Sequence, residues 1–261
     1  MKNGVSFEEL TYLSADGITT VHAYLWIPTD CEPIGIVQLA HGMCEYVSRY
    51  DSWARRFAAK GIIFCGNDHL GHGNTAATAD DLGYTAKRGG ANFIVEDLFA
   101  LTKIVKDRFV GLPLFLYGHS MGGYGVLSAL PAIDATAAVC INGFRKPIAL
   151  MHRCARRYVG ILADMAYPFL CLQNRFTFGK QGNTDALLAA RQAQIPVLIL
   201  NGKEDRLIPQ KAKLMAEETQ TGDILFRTVA GGHTGIWLSN DGRHVNESLM
   251  EMILRFFLSK Q

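Results

Sequence analysis

The pentapeptide Gly118-His119-Ser120-Met121-Gly122 carries the clearest chemistry in the chain. It fits G-x-S-x-G, follows the apolar run Pro113 to Tyr117, and precedes a helix-like stretch from Gly122 to Leu130. A sharp strand-to-helix turn holds a serine in a strained backbone conformation that only small neighbours tolerate, here Gly118 and Gly122. Such a turn lifts the hydroxyl above a sheet and aims a helix N-terminus at it. It also leaves the Met121 backbone N–H free to receive a developing oxyanion. This is the equipment of a nucleophilic serine in acyl transfer.

A serine hydroxyl needs a base to take its proton, and the base needs an acid to hold its tautomer. Where a serine sits on a strand–turn–helix of this kind, the chain order is serine, acid, histidine. Eight histidines compete: His22, His41, His69, His72, His119, His152, His233 and His244. Only His233 and His244 lie late enough. His233 sits in Ala230-Gly231-Gly232-His233-Thr234-Gly235, directly after the strand-like Ile224 to Val229, and is the expected base. His244, at the entry of the terminal helix, reads as a solvated surface residue. The expected acid is Asp205, in the loop after the apolar run Pro196 to Leu200. Glu204 and Asp223 compete for that role, and the other role for Asp205 is a cap for a segment starting near Pro209.

A second oxyanion donor is expected from His41-Gly42-Met43-Cys44-Glu45-Tyr46, where Gly42 lets the backbone turn the Met43 N–H toward the pocket beside Met121. His41 reads as a structural hydrogen-bonding residue. Glu45 either braces this loop or faces water. The His69-x-x-His72 spacing admits a metal, but a structural role is the expectation, with no metal and no cofactor.

These residues need a scaffold, and the hydrophobic pattern supplies one. Continuous apolar runs at Ile34–Ala40, Ile62–Gly66, Pro113–Tyr117, Ala137–Ile141 and Pro196–Leu200 suit strands buried on both faces of a parallel sheet. Between them lie amphipathic stretches, with Ile94, Leu98, Leu101 and Val105 on one helical face. Near the end, Val245, Leu249, Met252, Ile253 and Phe256 line another. Phe7 to Leu13 and Thr19 to Ile27 flank a Gly-containing turn and read as a hairpin. The expected fold is α/β: a mostly parallel, doubly wound sheet with an antiparallel N-terminal hairpin and a short helical lid. The core takes 1–143 and 195–261 as one domain. Residues 144–194 carry no strand signal, only helix-like pieces at Ile148–Val159, Ile161–Leu172 and Asp185–Ala193. This is the lid, over the carboxyl ends of the strands. It carries eight bases against Asp164 and Asp185, while the whole chain is only +2.

With 261 residues, 49% hydrophobic and 19% charged, the chain is an ordinary globular one, which excludes disordered and fibrous classes. Its 26 Lys+Arg balance 24 Asp+Glu, too evenly for a dedicated nucleic-acid binder. No apolar run approaches the roughly 20 residues of a membrane-spanning helix. The first residues have no apolar core, so a secretory signal is not expected and a cytoplasmic location is. Six cysteines without a C-x-x-C pair read as reduced thiols.

The motifs together resemble one family. His41-Gly42-Met43-Cys44-Glu45 with Arg49-Tyr50 resembles the H-G-x-G-E…R-Y segment of monoacylglycerol lipases and related lysophospholipases, α/β-hydrolases of the serine aminopeptidase S33 (hydrolase-4) group. Asp68-His69-Leu70-Gly71-His72-Gly73 is similar to their D-H-x-G-H-G loop, and Gly111-Leu112-Pro113 through Gly118-His119-Ser120-Met121-Gly122-Gly123 to their G-L-P…G-H-S-M-G-G block. The resemblance implies a Ser120–Asp205–His233 triad, Met43 and Met121 as oxyanion donors, and hydrolysis of a fatty acyl ester of glycerol or of a lysophospholipid. Three departures stand out: Cys44 replaces the second glycine, the lid is short, and Thr234-Gly235 follows the base. A short lid suits a carboxylesterase for small soluble esters as the alternative, and a non-catalytic binding module on the same fold is the remote one. The basic lid suggests peripheral contact with an anionic membrane surface, against a plain solvated face.

Overall fold

Every strand expected to be buried on both faces lies inside one sheet. The structure, a computed structural model, describes residues 4–208, 212–215, 223–237 and 245–260. The strands are β1 (Val5–Leu13), β2 (Thr20–Pro28), β3 (Gly35–Ala40), β4 (Ile62–Asn67), β5 (Leu114–His119), β6 (Ala137–Ile141), β7 (Val197–Gly202) and β8 (Ile224–Val229). They form one sheet in the order β1-β2-β4-β3-β5-β6-β7-β8. Pairing is parallel from β4 through β8 and antiparallel for β1–β2 and β2–β4, so the N-terminal hairpin closes one edge.

The helices are α1 (Asp51–Ala58), α2 (Gly90–Arg108), α3 (Met121–Ala129), α4 (Pro147–Val159), α5 (Leu162–Met165), α6 (Tyr167–Phe178), α7 (Ala186–Ala193) and α8 (Glu247–Leu258). Successive strand side chains point to opposite faces, and the core divides accordingly. Ile36, Leu114 and Leu116 pack with Leu98, Leu101, Val126 and Leu127 of α2 and α3. Val37, Leu39, Phe115 and Tyr117 pack on the other face with Trp53 and Phe57 of α1 and Ile253 and Phe257 of α8. The polar Gln38 in mid-sheet is satisfied: it donates to the Leu98 carbonyl at 2.9 Å and accepts from the Thr102 hydroxyl at 2.8 Å.

Three expectations shift. The helix expected over Ile161–Leu172 breaks at Ala166 into α5 and α6, because Pro168 is tolerated only in a first helical turn and so restarts the helix. The span 144–194 is also not uniform. α4, α5 and α6 pack on one another, whereas Ala186, Leu187 and Ala190 of α7 lie in the core beside α3. Finally, Met252 on α8 is 38% exposed, at the rim of the face that buries Leu249 and Ile253.

Candidate active site

The parallel strands end along one line, and the candidate residues stand just past those ends. β5 ends at His119, and Ser120 is the N-cap of α3 with φ 53° and ψ −115°. The Ser120 N–H donates to the Ile141 carbonyl at 2.9 Å, which pins the strained turn to the end of β6. The turn is possible only with glycine beside it. A Cβ at Gly118 would lie 2.6 Å from the Gly122 carbonyl oxygen, and one at Gly122 only 2.0 Å from that of Ala40.

Asp205 follows β7 and His233 follows β8. The His233 Nδ1–H donates to Asp205 Oδ2 at 2.9 Å, and Nε2 lies 2.8 Å from Ser120 Oγ. A carboxylate can only accept, so Nδ1 carries the proton and Nε2 is left to take that of the serine. Burial raises the Asp205 carboxyl, but the His233 hydrogen bond and charge and the Leu207 and Ile208 N–H groups outweigh it. Its pKa is therefore held below the usual carboxylate range.

The competitors lie elsewhere. Asp223 immediately precedes β8, and its carbonyl accepts the Val197 N–H at the opposite end of the sheet. Glu204 is exposed and accepts the Gly231 N–H, bracing the base loop from outside. His152 pairs with Asp164 and His22 with Glu9. His244 and Pro209 lie outside the described residues.

Glu45 is a brace. Only 3% exposed, its Oε2 accepts the Gly42 N–H at 2.8 Å and the Tyr50 hydroxyl at 2.9 Å, and lies 2.8 Å from His119 Nδ1. Burial raises its carboxyl, but the charge and hydrogen bond of His119, with the hydrogen bonds of the Gly42 N–H and the Tyr50 hydroxyl, bring it down to about 2. Arg49 adds an ion pair at 3.3 Å and covers the Trp237 ring. On the same loop the Gly42 carbonyl accepts from His41 Nδ1 at 2.8 Å and from the Glu45 N–H at 3.2 Å. A planar peptide points its N–H opposite to its C=O, so the Met43 N–H faces away from these contacts. Gly42 lies against Ser120, whose Cβ is 3.2 Å from the position of an added Cβ. Met121 is the first residue of α3, where an N–H has no partner in the helix ladder. Cys44 takes φ 60°, the left-handed region, where the resembling family has glycine.

His41, His69 and His72 form a buried cluster with His41 and His69 ring centroids 4.2 Å apart. His41 Nε2 accepts the His69 N–H at 3.0 Å, so the cluster supports the Gly42 loop. Among the described residues no group of three or more His, Cys, Asp or Glu is placed to hold a metal ion.

Sequence reasoning missed Asn142, the residue after β6. Only 1% exposed and at φ 48°, it donates from Nδ2 to the His233 carbonyl at 2.7 Å and accepts the Gly202 N–H on Oδ1 at 2.6 Å. An Asn-Gly pair reads as a turn, and no spacing links it to the serine motif.

A mostly parallel sheet with a strained serine between strand and helix defines an α/β-hydrolase. The chain belongs to the Hydrolase_4 family (serine aminopeptidase, S33), whose model matches residues 31–181. It is 36% identical over 124 residues to a monoacylglycerol lipase of Mycolicibacterium smegmatis, a match covering 48% of this chain and 41% of that protein. It is 28% identical over 267 residues to the monoglyceride lipase of Mus musculus, covering 88% and 84%. With the human monoglyceride lipase it shares 30% over 120 residues, 46% of this chain and 37% of that one. The matches to the mycobacterial and human proteins thus span about two fifths of their lengths. Among solved structures, a thermostable carboxyl esterase from Bacillus coagulans in complex with glycerol superposes with TM-score 0.71 at 21% identity, covering 98% of this chain and 99% of that one.

Proposed function

We propose that this chain is a serine ester hydrolase that cleaves a fatty acyl ester of glycerol or of a lysophospholipid through an acyl-enzyme on Ser120. The observation that carries the reading is the chain of contacts from Ser120 Oγ to His233 at 2.8 Å and from His233 to Asp205 at 2.9 Å. His233 Nε2 takes the Ser120 proton as Oγ bonds to the ester carbonyl carbon. The carbonyl oxygen becomes an oxyanion between the Met43 and Met121 N–H groups. The intermediate collapses as the imidazolium gives its proton to the departing alcohol, leaving acyl-Ser120. Water then repeats the sequence, its proton passing to His233 and back to Ser120 as the fatty acid leaves. Asp205 holds the Nδ1–H throughout.

The span 144–194, chiefly α4 to α6, is proposed as the cap that admits the acyl chain. Tyr158, Ile161, Leu162, Met165 and Phe169 are more than half exposed there, an apolar surface suited to a lipid interface. Its basic surplus is partly engaged: Arg145 pairs with Asp185, Arg156 with Asp164, and Arg153 donates to the Arg206 and Leu207 carbonyls. The remaining charge supports peripheral contact with an anionic membrane surface. No helix among the described residues is long and apolar enough to cross a membrane. All six cysteines are free thiols, which supports a reducing, cytoplasmic setting.

The test replaces Ser120 with alanine and measures hydrolysis of monoacylglycerols, lysophospholipids and p-nitrophenyl esters of graded acyl length, with a fluorophosphonate probe. The variant is expected to lose activity by on the order of 10⁴-fold or more and to lose labelling. Activity retained in Ser120→Ala would overturn the reading.

A further inference from the structure

We infer that Asn142 is a positioning residue that holds His233 in line with Ser120 and Asp205, with His119 as the second arm of the same clamp. The inference rests on the hydrolase reading above. His233 sits in a loop entered through Gly231-Gly232, where Glu204 braces the Gly231 peptide from outside. Two buried side chains hold the backbone of His233 itself from inside. The carbonyl oxygen of His233 accepts from Asn142 Nδ2 at 2.7 Å and lies 3.0 Å from His119 Nε2. Asn142 Nδ2 also lies 3.2 Å from the Gly232 carbonyl oxygen.

The other half of the Asn142 amide faces the acid. Oδ1 accepts the N–H of Gly202, the last residue of β7 and three before Asp205. One planar amide therefore fixes the end of the acid's strand and the base's own backbone at the same time. The His119 ring makes a parallel link, with Nδ1 2.8 Å from the Glu45 carboxylate that shapes the Met43 loop. The loops after β3, β7 and β8 are thus also joined behind Ser120 through the His233 carbonyl.

The residue type follows from these demands. The position needs an acceptor for Gly202 and a donor for His233, which an amide supplies and a carboxylate does not. It also needs φ near +48°, which asparagine tolerates better than other non-glycine residues. Two substitutions separate these demands. Asn142→Gly keeps the backbone conformation and removes the amide. Asn142→Asp keeps the shape and sets an acceptor against the His233 carbonyl.

Both variants are assayed on a soluble short-chain p-nitrophenyl ester, with active sites counted by end-point fluorophosphonate labelling. The rate of that labelling is recorded, as is the low-field proton resonance of His233 Nδ1–H. A misplaced catalytic group costs up to roughly 100-fold. The expectation is a kcat lower by about 10- to 100-fold, KM within about twofold, a labelling rate reduced by the same factor as kcat, and a broadened or absent resonance. A purely structural role would lower the melting temperature and leave kcat per labelled site unchanged, and that result in Asn142→Gly would overturn the inference even if Asn142→Asp failed to fold. A wild-type protein that the probe does not label would sink both this inference and the hydrolase reading.

Discussion

Gly122 is the position where one methyl group should have the largest effect. It is the second residue of α3, and a Cβ there would sit 2.0 Å from the Ala40 carbonyl oxygen and 2.5 Å from that of His41. Ordinary contact begins at 3.4 Å, so α3 would have to withdraw from β3 by about 1.4 Å. The strand cannot yield instead, because β3 is hydrogen-bonded to β4 on one side and to β5 on the other. Overpacking of this kind costs about 1–3 kcal/mol, and a clash with fixed backbone belongs at the upper end. At roughly 2–4 °C per kcal/mol for a chain of this size, Gly122→Ala should melt about 6–12 °C below wild type. The displaced helix carries Ser120 and the Met121 N–H with it, so esterase activity should fall by on the order of 100-fold. Gly125, three residues on in the same helix, is the control. A Cβ there meets only Ile94 Cγ2, at 3.4 Å. Alanine gains about 0.5–1 kcal/mol over glycine inside a helix, so Gly125→Ala should raise the melting temperature by about 1–4 °C and keep its activity. Thermal unfolding by circular dichroism and p-nitrophenyl butyrate hydrolysis measure both. If Gly122→Ala melts and turns over like the wild type, the account of the serine turn is wrong.

Two further perturbations read the buried network behind the serine. Glu45→Ala removes the acceptor for the Gly42 N–H and Tyr50 hydroxyl and the partner of His119, so urea unfolding should show a loss of about 3–5 kcal/mol. A loss under about 1 kcal/mol would mean that these groups find other partners. The second perturbation is pH. Burial, helped by the charge of His72, holds the His69 imidazole down at about 3, and burial likewise holds His41 well below its ordinary value of 6.5. The unfolded chain therefore binds these protons first, so stability is lost as pH falls below about 6.5; for His69 the loss runs on toward 3, by up to ~1.4 kcal/mol per pH unit, and His41 acts in the same direction. His69→Phe should flatten that slope between about pH 6.5 and 4.5 in urea titrations; an unchanged slope would assign the pH dependence to other groups.

The parts of the fold that were legible in the sequence are those where one physical cause dominates. β3, β5 and β6 are buried on both faces, so unbroken apolar runs marked them to within a residue or two. The serine turn was legible because its sterics admit only glycine at Gly118 and Gly122. Asp205 was separable from Asp223 because position along β7 and β8 decides which end of the sheet a carboxylate occupies. The parts that were not legible depend on tertiary contacts. Leu187 and Ala190 of α7 look in sequence like the apolar residues of α4 and α6, yet they pack on α3 while Leu172 and Phe176 face outward. Glu45 could equally have faced water; Tyr50, Gly42 and His119 converge on it only after β3 and β5 pair. Asn142 acts through partners 60 and 91 positions away, a range at which a single sequence holds no pattern.

Backbone strain points to the same place as the chemistry. Four described non-glycine residues take positive φ: Cys44, Ser120, Asn142 and Gln194. The first three follow β3, β5 and β6, which lie side by side in the sheet. Each such conformation costs on the order of 1–3 kcal/mol and persists only where its surroundings over-determine it. Two of the three are held by the next strand: the Ser120 N–H bonds to Ile141, the Asn142 N–H to Leu200, and the Gly202 N–H back to the Asn142 side chain. The parallel ladder is in effect carried past the point where the chain turns away. That gives a serine on a tight bend a rigid floor without requiring the loops themselves to be regular. The strain is then a consequence of making strands end abruptly and together, so that the residues following β5 and β7 each come within 3 Å of the imidazole that follows β8.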